Sequence, residues 1–116
     1  MNSNNMGDLL RQVTRMRKDM DKVQDDLKDR YVEARAGGDL VEVTFNGRQD
    51  LVKISLDESL FASGSDGKVD VALIEDLIVA AMAQGTEKSR ALMKEETDKV
   101  SEGLGLGDML PGLLGM

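Results

Sequence analysis

Four cations recur along one early stretch of the chain: Arg11, Arg15, Lys18 and Lys22, at steps of four, three and four. At the roughly 100° per residue of an α-helix, that spacing sets all four on one face. A line of guanidinium and ammonium groups is chemistry for phosphate. It offers charge-assisted hydrogen bonds to anionic oxygens, which hold a polyanion in place without reading its bases. Arg17 widens the set, and seven of the fifteen basic residues fall between Arg11 and Arg30. The competing reading is a solvated helix face whose charges pair internally. Arg15 with Asp19, Arg17 with Asp21 and Lys22 with Asp26 all stand at i,i+4. The acids gather later, at Asp25, Asp26 and Asp29, so the first three turns are net positive. A second basic group, Lys88, Arg90 and Lys94 with Lys99, is interleaved with Glu87, Glu95, Glu96 and Asp98. Charges nearly cancel there, and the solvated reading is the stronger. A supporting part in anion contact is its alternative.

Other chemistry is thinly provided for. The chain has no histidine, which removes the commonest general base and metal ligand, and no cysteine, which removes disulfides and thiolate metal sites. The acid pairs Asp57-Glu58 and Glu75-Asp76 are adjacent in sequence, and neighbouring side chains on a helix diverge, so neither makes a catalytic dyad. Gly37-Gly38 and Asn46-Gly47 have turn spacing, not the spacing of a phosphate loop. The reading is therefore of a protein with no catalytic residues, no metal, no cofactor and no small-molecule substrate. No run approaches the roughly 20 apolar residues of a membrane span. The start, Met1 to Asn5, is polar and carries no signal peptide, so a cytoplasmic location is expected. A net charge of -7 opposes indiscriminate nucleic-acid binding and would confine any contact to a local patch.

The elements that must position these residues follow from periodicity. Val32, Ala34 and Ala36, then Val41, Val43 and Phe45, then Val52, Ile54 and Leu56 alternate with polar residues. That is three strands with one apolar face. Gly37-Gly38 predicts a two-residue hairpin, and Asn46-Gly47 is expected to supply positive φ angles at a longer second turn. Before the strands, Leu9, Val13, Met16, Met20, Val23 and Leu27 recur at alternating steps of four and three, a heptad seam. The helix carrying it should run from about Met6–Asp8 to about Arg30. The basic stripe lies opposite that seam. After the strands, Glu58 to Lys68 reads as a loop with a helical turn near Leu60-Phe61. Asp70 caps a second long helix. Leu73, Ile74, Leu77, Ile78, Ala81 and Met82 form its broad buried face, and Gly103 stops it. Gly85 interrupts the helix and puts the continuity of its second half in question. The expected fold class is α+β, a helix–three-stranded antiparallel meander–helix protomer. Residues 1–102 form one domain, and 103–116, rich in Gly and Leu, form a flexible tail.

In this order the pieces resemble the YbaB/EbfC family of bacterial nucleoid-associated proteins. The likeness rests on Met6-Gly7-Asp8-Leu9-Leu10-Arg11-Gln12, on Ala36-Gly37-Gly38 followed by Leu40-Val41-Glu42-Val43-Thr44, and on Asn46-Gly47. It extends to Val52-Lys53-Ile54-Ser55-Leu56-Asp57, to Leu77-Ile78-Val79-Ala80-Ala81 and to the Gly-Leu tail. The resemblance implies an α-β-β-β-α protomer, a tweezers-like homodimer with protruding helical arms, and binding of double-stranded DNA in the nucleoid with limited sequence preference. It supplies no compact motif for assigning site residues. The candidates Arg11, Arg15, Arg17, Lys18, Lys22, Lys88, Arg90 and Lys94 therefore come from this sequence. The alternative is a non-enzymatic interaction or scaffold dimer whose acidic surface avoids DNA.

Overall fold

The computed structural model describes residues 3–62, 64 and 66–103, with the side chains of 3–5 and 103 left aside. The element order is α1 (Ser3–Leu27), β1 (Tyr31–Ala36), β2 (Val41–Asn46), β3 (Leu51–Leu56), a 3-10 turn (Glu58–Phe61) and α2 (Val71–Gly103). This is the α-β-β-β-α arrangement expected. The first helix starts earlier and stops earlier than the seam predicted. The protomer is elongated, 81 × 24 × 16 Å along its principal axes. None of the described helices is long and apolar enough to cross a membrane.

The strands pair as an antiparallel meander in the order β1-β2-β3. Val32, Ala34 and Ala36 stand opposite Phe45, Val43 and Val41. Val41 and Val43 in turn face Leu56 and Ile54. A bulge between Thr44 and Phe45 brings Leu51, not Val52, opposite Phe45. The apolar residues of all three strands therefore share one face. Only part of that face is covered. Ala34, Ala36, Val41, Val43 and Phe45 are buried with Ala81, and Ile74, Leu77, Ile78 and Met82 of α2 pack around them. Leu51, Val52, Ile54 and Leu56 of β3 remain exposed. The cause is width: a helix about 10–12 Å across covers two strands spaced about 4.8 Å apart and leaves the third bare. Leu73, expected in the buried face of α2, is also exposed.

The turns differ from expectation in instructive ways. Residues 37–40 connect β1 to β2, four rather than two, with both Gly37 (φ 64°) and Gly38 (φ 72°) in the left-handed region. In the second turn the positive φ belongs to Gln49 (68°), not to Gly47. Gly47 is required for a different reason. Its N–H donates to Leu27 O at 2.8 Å, and a Cβ there would lie 2.6 Å from Leu27 Cδ2. Gly85 has the same kind of explanation. Helix α2 is unbroken through it. The Phe45 ring lies against the helix at that point, so a Cβ on residue 85 would stand 2.5 Å from Phe45 Cε2. One turn later, Ser89 Oγ donates to Asn46 O at 2.7 Å in a buried position. Asp70 caps α2 as predicted, its Oδ1 accepting from Leu73 N at 3.0 Å.

Candidate nucleic-acid interface

Beyond the sheet, α1 and the second half of α2 form an antiparallel pair. Arg30 fastens them: its Nη1 donates to Glu96 Oε1 at 2.6 Å, and Lys99 Nζ reaches the same oxygen at 3.0 Å. These hydrogen bonds, from Lys99 and then Arg30, hold the Glu96 carboxyl below the usual carboxylate range. Beside them Val23, Leu27, Asp26 and Asp29 line a shallow cavity shared with Glu96. Leu27 is fully buried, and its carbonyl takes the Gly47 N–H. The seam residues thus anchor the C-terminal end of α1 and let the opposite face look outward.

On that outward face Arg11, Arg15, Lys18 and Lys22 are all exposed, as the spacing predicts. Arg11, Arg15 and Lys18 line a shallow groove with Leu10 and Thr14. Thr14 Oγ1 is turned inward, donating to Leu10 O at 2.9 Å, so the groove's free polar groups are the cations. Arg17 is exposed but stands about 100° round the helix from Lys18, on the flank of the stripe rather than in it. The internal pairs expected at i,i+4 do not form. The ion pairs of α1 are Arg11–Asp8 at 2.8 Å and Lys28–Asp25 at 3.8 Å, both at i,i+3. Among the described residues no carboxylate lies within 4.0 Å of Arg15, Arg17, Lys18 or Lys22. The Arg11 bridge is solvent-exposed on both sides, and such pairs contribute only about 0–1 kcal/mol, so Arg11 can exchange partners at little cost.

The α2 candidates are differently placed. Lys88 Nζ donates to the carbonyl of Glu33 at 2.8 Å, satisfying an acceptor on edge strand β1. Arg90 pairs with Glu87 at 2.7 Å. Lys94 pairs with Asp98 at 2.9 Å, a hydrogen bond that raises its pKa. Among the described residues the α1 cations thus lie together as one exposed stripe, paired only at Arg11, while the α2 cations are tied into local contacts. The Arg30–Glu96 clamp was not read from the sequence. The two residues are 66 positions apart, and only the antiparallel packing of the helices makes them neighbours.

The YbaB/EbfC DNA-binding family model matches residues 1–104. The chain belongs to that family. YbaB/EbfC proteins form a DNA-binding family, not an enzyme family. A nucleoid-associated protein of Acetivibrio thermocellus is 35% identical over 109 residues, spanning 94% of this chain and 89% of that protein. One from Bordetella avium is 39% identical over 98 residues, spanning 84% and 85%. The crystal structure of an uncharacterised Helicobacter pylori protein shares the fold, with a TM-score of 0.59 at 24% identity, covering 72% of this chain and 90% of that one. Membership of the YbaB/EbfC family gives the exposed cations of α1 a ligand class to be weighed against, which composition alone did not.

Proposed function

We propose that this chain is a nucleoid-associated protein that binds double-stranded DNA as a homodimer, through phosphate contacts made by Arg11, Arg15, Lys18 and Lys22. The observation that carries the reading is the contrast between the two basic groups. The α1 cations project from one face with no competing carboxylate on three of the four, whereas Lys88, Arg90 and Lys94 are engaged within the protomer. Among the described residues Arg15, Lys18 and Lys22 have no protein partner to give up, whereas Lys88 must release a backbone carbonyl and Arg90 and Lys94 each sit beside a carboxylate that competes with phosphate. Arg17 borders the stripe and contributes charge. Of the other three, Lys88 ties α2 to β1, while Arg90 and Lys94 pair with acids of α2 itself. Phosphate contacts carry no sequence information directly, so selectivity is low.

Two further features support the dimer. The apolar side chains of β3 are left bare by α2, and β3 is an edge strand with unpaired backbone groups. A second copy seated on β3 would remove both liabilities. Doubling the stripe lets individually weak contacts add through effective concentration. Binding to DNA places the protein in the cytoplasm, at the nucleoid. The acidic remainder of the surface repels DNA and confines contact to α1.

Two triple variants test the assignment in a gel-shift at fixed salt. Arg15→Ala/Lys18→Ala/Lys22→Ala should weaken DNA binding at least tenfold. Lys88→Ala/Arg90→Ala/Lys94→Ala should change it less than threefold. The reverse order of effects would move the interface to α2, and no binding by the unaltered protein would favour the scaffold reading.

A further inference from the structure

The seam of α1 is buried at one end and bare at the other. Leu27 is 0% exposed and Met16, Met20 and Val23 are partly covered, but Val13 is 50%, Leu9 56% and Met6 54% exposed. The change falls where α2 ends. Val23, Leu27 and Glu96 line one cavity, so they share a level along the antiparallel pair. From Glu96, α2 continues seven residues to Gly103, about 10 Å at 1.5 Å per residue. Seven residues back from Val23 is Met16. Helix α2 therefore covers the seam as far as Met16, with Ser101 still buried, and then stops. Met6, Leu9, Leu10 and Val13 lie beyond it, at the i, i+3, i+4, i+7 spacing of one stripe.

We infer that residues 104–116 of the same chain pack along this stripe of α1 and take over the cover that α2 gives up. These residues follow α2 directly. They hold five leucines and two methionines, Leu104, Leu106, Met109, Leu110, Leu113, Leu114 and Met116, against a single charge, Asp108. Extended, thirteen residues reach up to about 43 Å. The uncovered part of α1, from Met16 to Ser3, is about 20 Å long. The segment begins beside the stripe, so no second molecule has to be recruited, and its effective concentration there exceeds that of any free partner. Need and supply coincide. A helical stretch of about a dozen residues is marginal in water without tertiary cover, and the first half of α1 carries Arg11 and Arg15. Four glycines and Pro111 suit a segment that lies on a surface without forming an element of its own.

Amide hydrogen exchange on the full-length chain, without DNA, tests the contact. In Leu106→Ser/Leu110→Ser/Leu114→Ser, amides of residues 7–14 should exchange at least tenfold faster than in the unaltered chain, while those of β2 keep their rates. Equal rates at residues 7–14 in the two proteins would overturn the inference. The chain has no cysteine, so Asp108→Cys gives a single nitroxide site. Its label should broaden the amide signals of Met6 to Val13. In a mixture where only the isotope-free copies carry the label, that broadening should vanish. Broadening elsewhere, or broadening that survives in the mixture, would overturn the same-chain packing.

Discussion

Replacing Gly85 with alanine separates close packing from ordinary helix chemistry. In an open helical position Gly→Ala stabilises by about 1 kcal/mol, because alanine loses less backbone entropy on folding. At residue 85 the added methyl would meet Phe45 Cε2 at 2.5 Å, Phe45 Cδ2 at 2.6 Å and Val43 Cγ2 at 3.0 Å. Carbon atoms in contact sit about 3.5–4.0 Å apart, so the overlap with the ring is about 1 Å. Neither neighbour has space to retreat: Val43 and Phe45 are buried in the centre of the core. Overpacking on this scale costs about 1–3 kcal/mol, and the overlap places it at the upper end. Subtracting the gain in propensity leaves a net destabilisation of about 2 kcal/mol. Urea unfolding followed by circular dichroism, at matched protein concentration, measures it. Phe45→Leu removes the ring, so the alanine penalty should shrink by at least 1 kcal/mol in the double variant. A Gly85→Ala protein more stable than the parent would show that α2 does not approach β2 this closely.

Three other outcomes follow from the same geometry. The Glu96 carboxyl is held below its ordinary value near 4.5 by Lys99 and Arg30, so its contribution is present above the unfolded-state pKa and is lost as pH falls through the folded one. Acid unfolding between about pH 5 and pH 3 should be less steep in Glu96→Gln than in the parent, and equal slopes would count against the clamp. Ile54→Asp should shift the protein from dimer to monomer at micromolar concentration by light scattering while leaving its helix content unchanged, because Ile54 is exposed in the protomer. Gly47→Ala should destabilise by about 2 kcal/mol or more, since the methyl would meet Leu27 O at 2.9 Å as well as its side chain, and backbone cannot swing aside.

The sheet was legible in the sequence because side chains alternate with a period of two; only at the bulge before Phe45 does the phase slip, putting Leu51 where Val52 was expected. The greasy first half of α2 and the Asp70 cap were legible for the same local reasons. What escaped was set by tertiary distance. Gly85 reads as a helix defect until Phe45, forty residues earlier, is seen lying on it. Gly47 reads as a positive-φ turn residue, but the constraint comes from Leu27. The exposure of β3 depends on how many strands one helix can cover, which no alternation pattern encodes. On the candidate interface, spacing placed the four cations of the stripe on one exposed face. It could not say which would be paired, because i,i+3 and i,i+4 partners are equally near and the rotamers decide. The free state of Lys18 and Lys22, against the engaged state of Lys88 and Lys94, is visible only in three dimensions.

The salt dependence of DNA binding tests the central claim most directly. Each phosphate neutralised contributes about -0.9 to the slope of log K against log salt, so four contacts give about -3.6 and eight, from two copies, about -7. With Arg11, Arg15, Lys18 and Lys22 all replaced by alanine, the folded protein should bind unrelated duplexes more weakly to a similar degree. The slope should flatten by at least three units. A quadruple variant that keeps its fold, its affinity and its slope would contradict the account and leave this face of α1 merely solvated.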